Sequence, residues 1–329
     1  MSIYDKKINI NEPKYDQSTY SGRFWHFFNT TSPLNCLVSD TQLDETKRIL
    51  EAFKRKEPLP GVTEDDIWKA KYLYDSAFHP DTGEKLFLPG RMSFQAPGNM
   101  VITGGLLQFF RTTPQVFFWQ WLNQTFNAFV NYSNRSGSTP ISKEKLGISY
   151  VAATSGALAA SFGIRQIKNL PTLAQRFVPY LGVVVANIAN IGFMRSEDIL
   201  SGISIINEEG EEVGKSRKAG ANAIFQVFIS RVGMCTPGMI LPPLLMEYLD
   251  KKGFSKRYPF AGAPIQIGIC GLFLIFTTPA CCAIWPQKKS ISFDELEPST
   301  QDSIRAHYKV KLDRPIDSIP KTFYYNKGL

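Results

Sequence analysis

Long segments without charged side chains fill the middle of this chain and restrict the folds that it can adopt. Nearly all of them lie within residues 96–286 of the 329, whereas residues 1–95 and 287–329 are polar and charged. The uncharged runs are Met92–Phe110, Leu146–Ile164, Phe177–Met194, Tyr258–Gln287 and, with Arg231 as its interruption, Ala219–Glu247. Each run is long enough to cross a hydrocarbon core of about 30 Å as a helix.

We therefore predict an all-α integral membrane protein with about five transmembrane helices. A helical N-terminal extramembrane region (1–95) precedes the transmembrane helical domain (96–286), and a short C-terminal tail (287–329) follows it. The expected spans are Pro97–Trp119, Leu146–Ile164, Phe177–Met194, Ala223–Tyr248 and Gln266–Trp285. The second span is rich in glycine, alanine and serine, which let helices approach closely, so we expect other helices to surround it. An odd number of spans would place the two termini on opposite sides of the membrane.

The charged N-terminal region carries signals for helices outside the membrane. Ser39 or Asp40 can cap a helix that runs to about Lys56, and Thr63-Glu64-Asp65-Asp66 resembles a capping box at the start of a second helix. His79-Pro80 ends that helix and begins a turn.

Two segments of the remaining chain require special backbone geometry. Arg111 and Pro114 fall inside the first expected span, so we expect a kink there or an arginine that extends to the membrane surface. Gly202–Gly214, between the third and fourth spans, predicts a small hairpin outside the membrane.

Residues 119–134 contain amides and aromatic rings but no charge. If they form a helix, residues three and four positions apart share a face. The amides on that face are Gln120, Asn123, Gln124, Asn127 and Asn131. Amides donate and accept hydrogen bonds at once, which suits a neutral polar ligand better than an ion. A polar face at membrane depth usually faces a cavity or a partner helix.

Arg231 interrupts the fourth expected span, and its guanidinium can bind a carboxylate through two hydrogen bonds. Pro237-Gly238 can break the same helix and expose backbone groups, as in transporter binding sites. The candidate substrate-binding residues are Asn123, Gln124, Asn127, Asn131, Asn187, Asn190 and Arg231. A substrate with a carboxylate, an ammonium group and a small polar side chain fits this set. The alternative is that the amides hold helices together and the arginine contacts carbonyl oxygens.

Other function classes find no support in the sequence. No serine-hydrolase, zinc-protease or dinucleotide-binding motif is present, so we expect no catalytic residues, no enzyme activity and no cofactor. Four of the five cysteines lie in apolar segments without metal-ligand spacing, which favours free buried thiols over a metal site. The net charge of +8 is dispersed, so no nucleic-acid partner is expected.

Several motifs resemble those of the sideroflexins, and the similarity runs almost from end to end. The matching segments are His79-Pro80-Asp81-Thr82-Gly83-Glu84-Lys85, Phe118-Trp119-Gln120-Trp121 with Asn123-Gln124 and Asn127, Ser230-Arg231 with Pro237-Gly238-Met239, and Tyr325-Asn326-Lys327-Gly328-Leu329. Tyr325 departs conservatively from an expected Phe. Ala263-Pro264-Ile265-Gln266 and Pro279-Ala280-Cys281-Cys282 look similar to the serine-transporting paralogues.

This resemblance implies a multi-pass protein of the mitochondrial inner membrane that transports serine and related small neutral amino acids. The expected partners are then serine and the lipid bilayer, and the oligomeric state stays open. The family's link to iron and haem homeostasis leaves a non-transporting membrane scaffold as the alternative. The resemblance supplies no site residues, so the candidate set rests on the physical argument alone.

Overall fold

The computed structural model describes residues 4, 8–79, 82–134, 142–167, 171–311 and 319–328. The protein is mostly helical, as expected. The helices are α1 (Tyr20–Thr30), α2 (Asp40–Lys54), α3 (Glu64–Ala77), α4 (Gln95–Gln108), α5 (Thr113–Ser133), α6 (Lys143–Arg165), α7 (Thr172–Arg176), α8 (Val178–Met194), α9 (Ser196–Leu200), α10 (Arg217–Lys251), α11 (Phe254–Arg257), α12 (Gly262–Cys282) and α13 (Pro298–Ala306). The strands are β1 (Ile203–Ile206), β2 (Glu212–Ser216), β3 (Lys288–Ser292) and β4 (Thr322–Asn326).

The two N-terminal helices start where the sequence predicts. Ser39 caps α2 and forms a capping box with Gln42, and Thr63 forms the equivalent box with Asp66 at the start of α3. The predicted turn after α3 reverses the chain through a hydrogen bond of 2.9 Å from the Gly83 amide to the His79 carbonyl. Pro80 and Asp81 of that turn lie outside the described residues.

Four helices in the described part of the chain are long and apolar enough to cross a membrane. Their spans are Glu144–Ile164, Leu173–Met194, Arg217–Lys251 and Gly262–Cys282. They correspond to the second through fifth spans expected from the sequence, and they support a multi-pass membrane protein.

The first expected span is wrong in its boundaries, because two helices occupy its place. α4 ends at Gln108 and α5 begins at Thr113, so Arg111 lies exposed in the connection rather than inside a span. Proline has no N–H group and suits the first turn of a helix, so Pro114 lies in the first turn of α5 instead of kinking a longer helix. The side chain of Gln115 fixes this start by accepting a hydrogen bond of 3.3 Å from the Thr112 amide.

The expected break at Pro237-Gly238 is also absent from the structure, because α10 continues through it to Lys251. Proline deprives the carbonyl four residues earlier of its donor. Pro242 therefore leaves the Gly238 carbonyl without a helical N–H donor. The Cys270 thiol of α12 donates to this oxygen instead, at 3.0 Å. A neighbouring helix therefore satisfies a backbone group that would otherwise favour a break.

The C-terminal region, expected as a short tail, contains α13 and the strands β3 and β4, so the chain has more strands than the one hairpin expected in an otherwise all-α protein. Its strands β3 and β4 join the predicted hairpin β1–β2 in an antiparallel sheet with the order β2-β1-β4-β3. Alternate residues of a strand share a face, so Phe323 and Tyr325 both point into the core under the sheet. Ile304 of α13 closes that core from the other side.

Both terminal regions pack at the same end of the membrane domain, contrary to the expectation of opposite sides. The Arg23 Nε of α1 donates to the Ala283 carbonyl at the end of α12, with a distance of 2.8 Å. At the same end, the Arg195 Nη1 donates to the Lys327 carbonyl just after β4, also at 2.8 Å. We call this end the sheet side.

The small residues of α6 bring it close to α8 but do not place it among many helices. Ala153 and Ala157 of α6 are buried against Ala186 of α8. On the opposite face of α6, Ile148 and Val151 are 58% and 61% exposed. The expectation that other helices surround α6 is therefore wrong, because α6 packs against α5 and α8 and leaves this face exposed.

Candidate functional site

The amide face of α5 points into the protein. Gln120, Asn123 and Gln124 are 0%, 5% and 3% exposed, and Asn127 and Asn131 are half-buried. This face packs against α6 and α8. Buried amides need hydrogen-bond partners, so the partners of these side chains, or their lack, define the chemistry of the site.

At the end of α5 away from the sheet, Gln120 meets α6 and α8. Its Nε2 donates to the Ser161 Oγ at 3.2 Å. Gly182 of α8 makes room for this pair, because a Cβ there would lie 2.5 Å from the Ser161 Oγ and 2.6 Å from the Gln120 Nε2. A cavity of about 10 Å³, close to the size of one water molecule, is lined by Leu106, Phe110, Val116, Gln120, Ser161, Val178 and Pro179.

At the sheet-side end, three helices bring an arginine and two asparagines together. The Arg231 Nη2 of α10 donates to the Asn131 Oδ1 of α5 at 3.3 Å. The Asn131 Nδ2 donates in turn to the Asn190 Oδ1 of α8 at 3.3 Å. Among the described residues, no carboxylate forms an ion pair with Arg231. We call Asn131, Asn190 and Arg231 the polar triad.

The seven predicted site residues therefore do not form a single cluster. The structure brings only the polar triad together. Asn187 donates to the Val183 carbonyl of its own helix at 3.0 Å. Asn123, Gln124 and Asn127 lie along the α5 face between Gln120 and the triad, over a helix length of about 16 Å. Their role in substrate binding stays a prediction.

Sequence reasoning missed two buried polar side chains on α10. Gln226 and Ser230 are 3% and 4% exposed and share a helix face one turn apart. The Gln226 Nε2 donates to the Asn222 Oδ1 at 2.9 Å, but the Gln226 Oε1 and the Ser230 Oγ have no partner among the described residues. Their position in the same apolar run as Arg231 was the available signal.

Unpartnered amide atoms occur on α5 as well. The Gln120 Oε1 and the Gln124 Nε2 are buried and have no hydrogen-bond partner within the described ranges. A buried polar atom without a partner is costly and marks a place where a water molecule or a ligand can bind. The amide face thus offers both acceptors and donors to a polar solute.

Positive charge accumulates beside the triad at the sheet side. Arg195 pairs with Asp198 at 2.7 Å, and Lys327 is 1% exposed. Burial lowers the pKa of Lys327, and the Cys282 thiol opposes this shift. The guanidinium groups of Arg195 and Arg23 lower the same pKa further. This surplus of cations favours an anionic group next to Arg231.

The described residues contain no group of three or more His, Cys, Asp or Glu side chains arranged to hold a metal ion. The five cysteines are free thiols, and Cys270 and Cys282 are buried among apolar neighbours. Cys270 also donates to a backbone carbonyl of α10, so its position has a structural explanation.

Four long apolar helices around buried amides and an arginine define a multi-pass helical membrane protein. The chain matches the family described as sideroflexins over residues 9–329, and it belongs to that family. The resemblance seen in the sequence is thereby confirmed.

The chain is similar to curated sideroflexins of mammals along nearly its whole length. It is 50% identical to sideroflexin-3 of Mus musculus and of Homo sapiens over 323 residues, which cover 98% of each chain. It is 48% identical to sideroflexin-1 of Homo sapiens over the same length and coverage. No solved structure matches this chain.

Proposed function

We propose that this protein is a transporter, not an enzyme, that carries serine and similar small neutral amino acids across the inner mitochondrial membrane. The observation that supports this proposal most directly is the polar triad. Its arginine lies within the membrane domain and is held by a neutral amide, 3.3 Å away, instead of a carboxylate. Family membership adds the expectation of a mitochondrial carrier.

The chemistry of the triad matches an amino-acid zwitterion. The carboxylate can accept two parallel hydrogen bonds from the Arg231 guanidinium, which are stronger than the bond to a neutral amide. The amide oxygens of Asn131 and Asn190 can accept from the ammonium group, and their N–H groups can donate to a serine hydroxyl. Neutral amides add no charge, so a solute without net charge fits better than a dication or a dianion.

The amide face of α5 provides a polar route toward the other side of the membrane domain. From Asn131 to Gln120 it extends over about 16 Å, and unpartnered atoms of Gln120 and Gln124 lie along it. Solutes cross membranes along lines of donors and acceptors that replace their hydration. The narrow cavity beside Gln120 would have to widen for an amino acid to pass.

The decisive experiment is uptake of labelled serine by liposomes that contain only the purified, folded protein. We expect saturable uptake that unlabelled serine competes away. Serinamide, which lacks the carboxylate, should compete poorly because Arg231 has nothing to bind. Equal competition by serinamide would contradict the role of Arg231 while leaving transport itself intact.

A non-transporting scaffold is the second candidate. Three apolar side chains of the N-terminal region favour it, because Leu34, Leu37 and Phe87 are 71%, 83% and 80% exposed. Large exposed apolar side chains can mark contacts with other proteins. Absence of saturable serine uptake by a folded sample would favour this scaffold over the transporter.

A further inference from the structure

The connection between α10 and α12 lies at the end of the membrane domain opposite the sheet side. α10 ends at Lys251, the short helix α11 follows, and α12 begins at Gly262. We call residues 251–261 the basic turn, because it carries four cations, which are Lys251, Lys252, Lys256 and Arg257. All four are exposed.

The acidic side chains near the basic turn are held on its inner side. Arg176 of α7, whose side chain is 8% exposed, pairs with Asp250 and lies 3.6 Å from Glu247. Ser255 also donates to Asp250. Glu247 also pairs with Lys251 at 3.5 Å, so Arg176 and Lys251 together balance these two carboxylates. Lys252, Lys256 and Arg257 then leave the outer surface of the turn with an excess of positive charge.

The outer face of α10 changes from apolar to aromatic to basic as it approaches the turn. Leu241 and Leu244 are 43% and 42% exposed, and Tyr248, one turn farther on, is 58% exposed. Lys252 follows one turn later, with its ammonium 5.7 Å from the centre of the Tyr248 ring. Apolar side chains that give way to tyrosine and then to lysine are typical of a helix that leaves the hydrocarbon core through the headgroup layer.

Aromatic rings are also paired with cations, or exposed, in the basic turn itself. The Arg257 guanidinium lies 5.5 Å from the centre of the Tyr258 ring. Phe260 is 91% exposed, immediately before the membrane helix α12 begins. An exposed phenylalanine beside exposed cations suits a surface that is apolar on one side and anionic on the other.

We propose that the basic turn binds the phosphate-bearing headgroup of an anionic phospholipid, with Lys252, Lys256 and Arg257 on the phosphate and Phe260 on the acyl chains. A soluble phosphate would use only the cations, whereas a lipid also uses the exposed rings and the leucine row of α10. The site is separate from the polar triad, because Lys252 and Arg231 are about 30 Å apart along α10. The proposal therefore stands independently of serine transport.

The test measures the melting temperature of the full-length protein in detergent during titration with lipid. We compare phosphatidylglycerol, which is anionic, with zwitterionic phosphatidylcholine and with inorganic phosphate. Phosphatidylglycerol should raise the melting temperature at a far lower concentration than phosphatidylcholine. The combined variant Lys252→Gln, Lys256→Gln, Arg257→Gln should weaken this response on the order of 100-fold, from the usual contribution of each cation near an anionic surface.

A charge-matched control removes three exposed cations of the N-terminal helices, with Arg48→Gln, Lys54→Gln and Lys69→Gln. It should respond to phosphatidylglycerol like the parent. A melting temperature equal to that of the parent in phosphatidylcholine alone shows that each variant folds, and lipid retained in native mass spectrometry gives a second measure of binding.

A further variant separates a lipid from a soluble anion. Phe260→Ser keeps every cation of the basic turn, so it should weaken the response to phosphatidylglycerol and leave any response to inorganic phosphate unchanged. Three results would overturn the proposal: an equal response to both lipids, an unchanged response in the triple variant, or a full response to inorganic phosphate alone.

Discussion

The guanidinium Nη2 of Arg231 lies 3.3 Å from the Oδ1 of Asn131, a neutral amide on a different helix. A hydrogen bond to a carboxylate is roughly twice as strong as one to a neutral acceptor. We therefore expect the contact to hold the guanidinium in place when the site is empty and to give way to a substrate carboxylate.

This relationship predicts how substitutions of Arg231 affect uptake. Arg231→Gln removes the cation and should nearly abolish serine uptake into liposomes. Arg231→Lys keeps the charge but loses the planar pair of donors, so it should raise the KM for serine by about tenfold, the equivalent of about 1.4 kcal/mol of binding. Initial rates over a range of serine concentrations distinguish the two effects.

Arg217→Gln provides the matched control, because Arg217 lies exposed at the start of the same helix, outside the triad. It should transport like the parent. If both Arg231 variants fold and take up serine normally, Arg231 has only a structural role and the proposed site is misplaced.

A carboxylate in place of the Asn131 amide should stay paired with Arg231 and block its binding to substrate. In Asn131→Asp, the new side chain forms a charge-assisted pair with Arg231 in the position that the amide now holds. We expect a higher melting temperature together with a severe loss of serine uptake. Asn131→Leu removes the acceptor and should lower both the melting temperature and serine uptake. Normal uptake by Asn131→Asp would show that its carboxylate does not compete with the substrate for Arg231.

Local features of this fold follow from the sequence because they depend on neighbours along the chain. The capping boxes at Ser39 and Thr63 need only residues three positions apart, and both are present. The amide face of α5 depends on helical periodicity, and the structure places Asn123 and Gln124 in the interior accordingly. For this reason the sequence could predict where α2 and α3 start and which face of α5 is buried.

Features that depend on contacts between distant segments could not be predicted. Cys270, on a different helix, donates a hydrogen bond to the Gly238 carbonyl. The effect of the prolines in α10 therefore depends on a partner 32 positions away. Strand β4 pairs with β1 across more than a hundred residues. The same limit explains why Asn187 and Asn190 looked equivalent, although only Asn190 reaches Asn131.

We predict that the protein loses stability at acidic pH because of His26 on α1. Burial lowers its pKa below 6.5; the nearby Asp75 carboxylate opposes this shift, and Lys71 adds to it. The folded protein thus prefers the neutral ring, whereas the unfolded chain takes up a proton near pH 6.5. Stability is then fully present above this pH and is lost as the pH falls below it, until the folded pKa is passed.

The measurement for His26 is the melting temperature from about pH 7.5 to about pH 5.5. His26→Gln cannot titrate in this range, so its melting temperature should fall less on acidification than that of the parent. The Nδ1 of His26 is buried without a partner among the described residues, so the substitution sacrifices no known hydrogen bond there. Identical pH profiles would show that other groups control acid stability.

Gly182 should be the least replaceable glycine of α8. A Cβ at this position would lie 2.5 Å from the Ser161 Oγ and 2.6 Å from the Gln120 Nε2, closer than Cβ atoms come to non-bonded atoms. Gly182→Ala should therefore push α5 or α6 away and cost about 1–3 kcal/mol of stability.

Gly192→Ala is the control on the same helix, because a Cβ there has no neighbour within 4 Å. Alanine also favours a helix over glycine by up to about 1 kcal/mol. Melting temperatures in detergent should thus fall for the first variant and hold or rise for the second. Adding Ser161→Ala to Gly182→Ala removes the closest oxygen and should restore part of the loss. If both glycine variants behave alike, the contact between Gln120 and Ser161 does not require the close approach of α8.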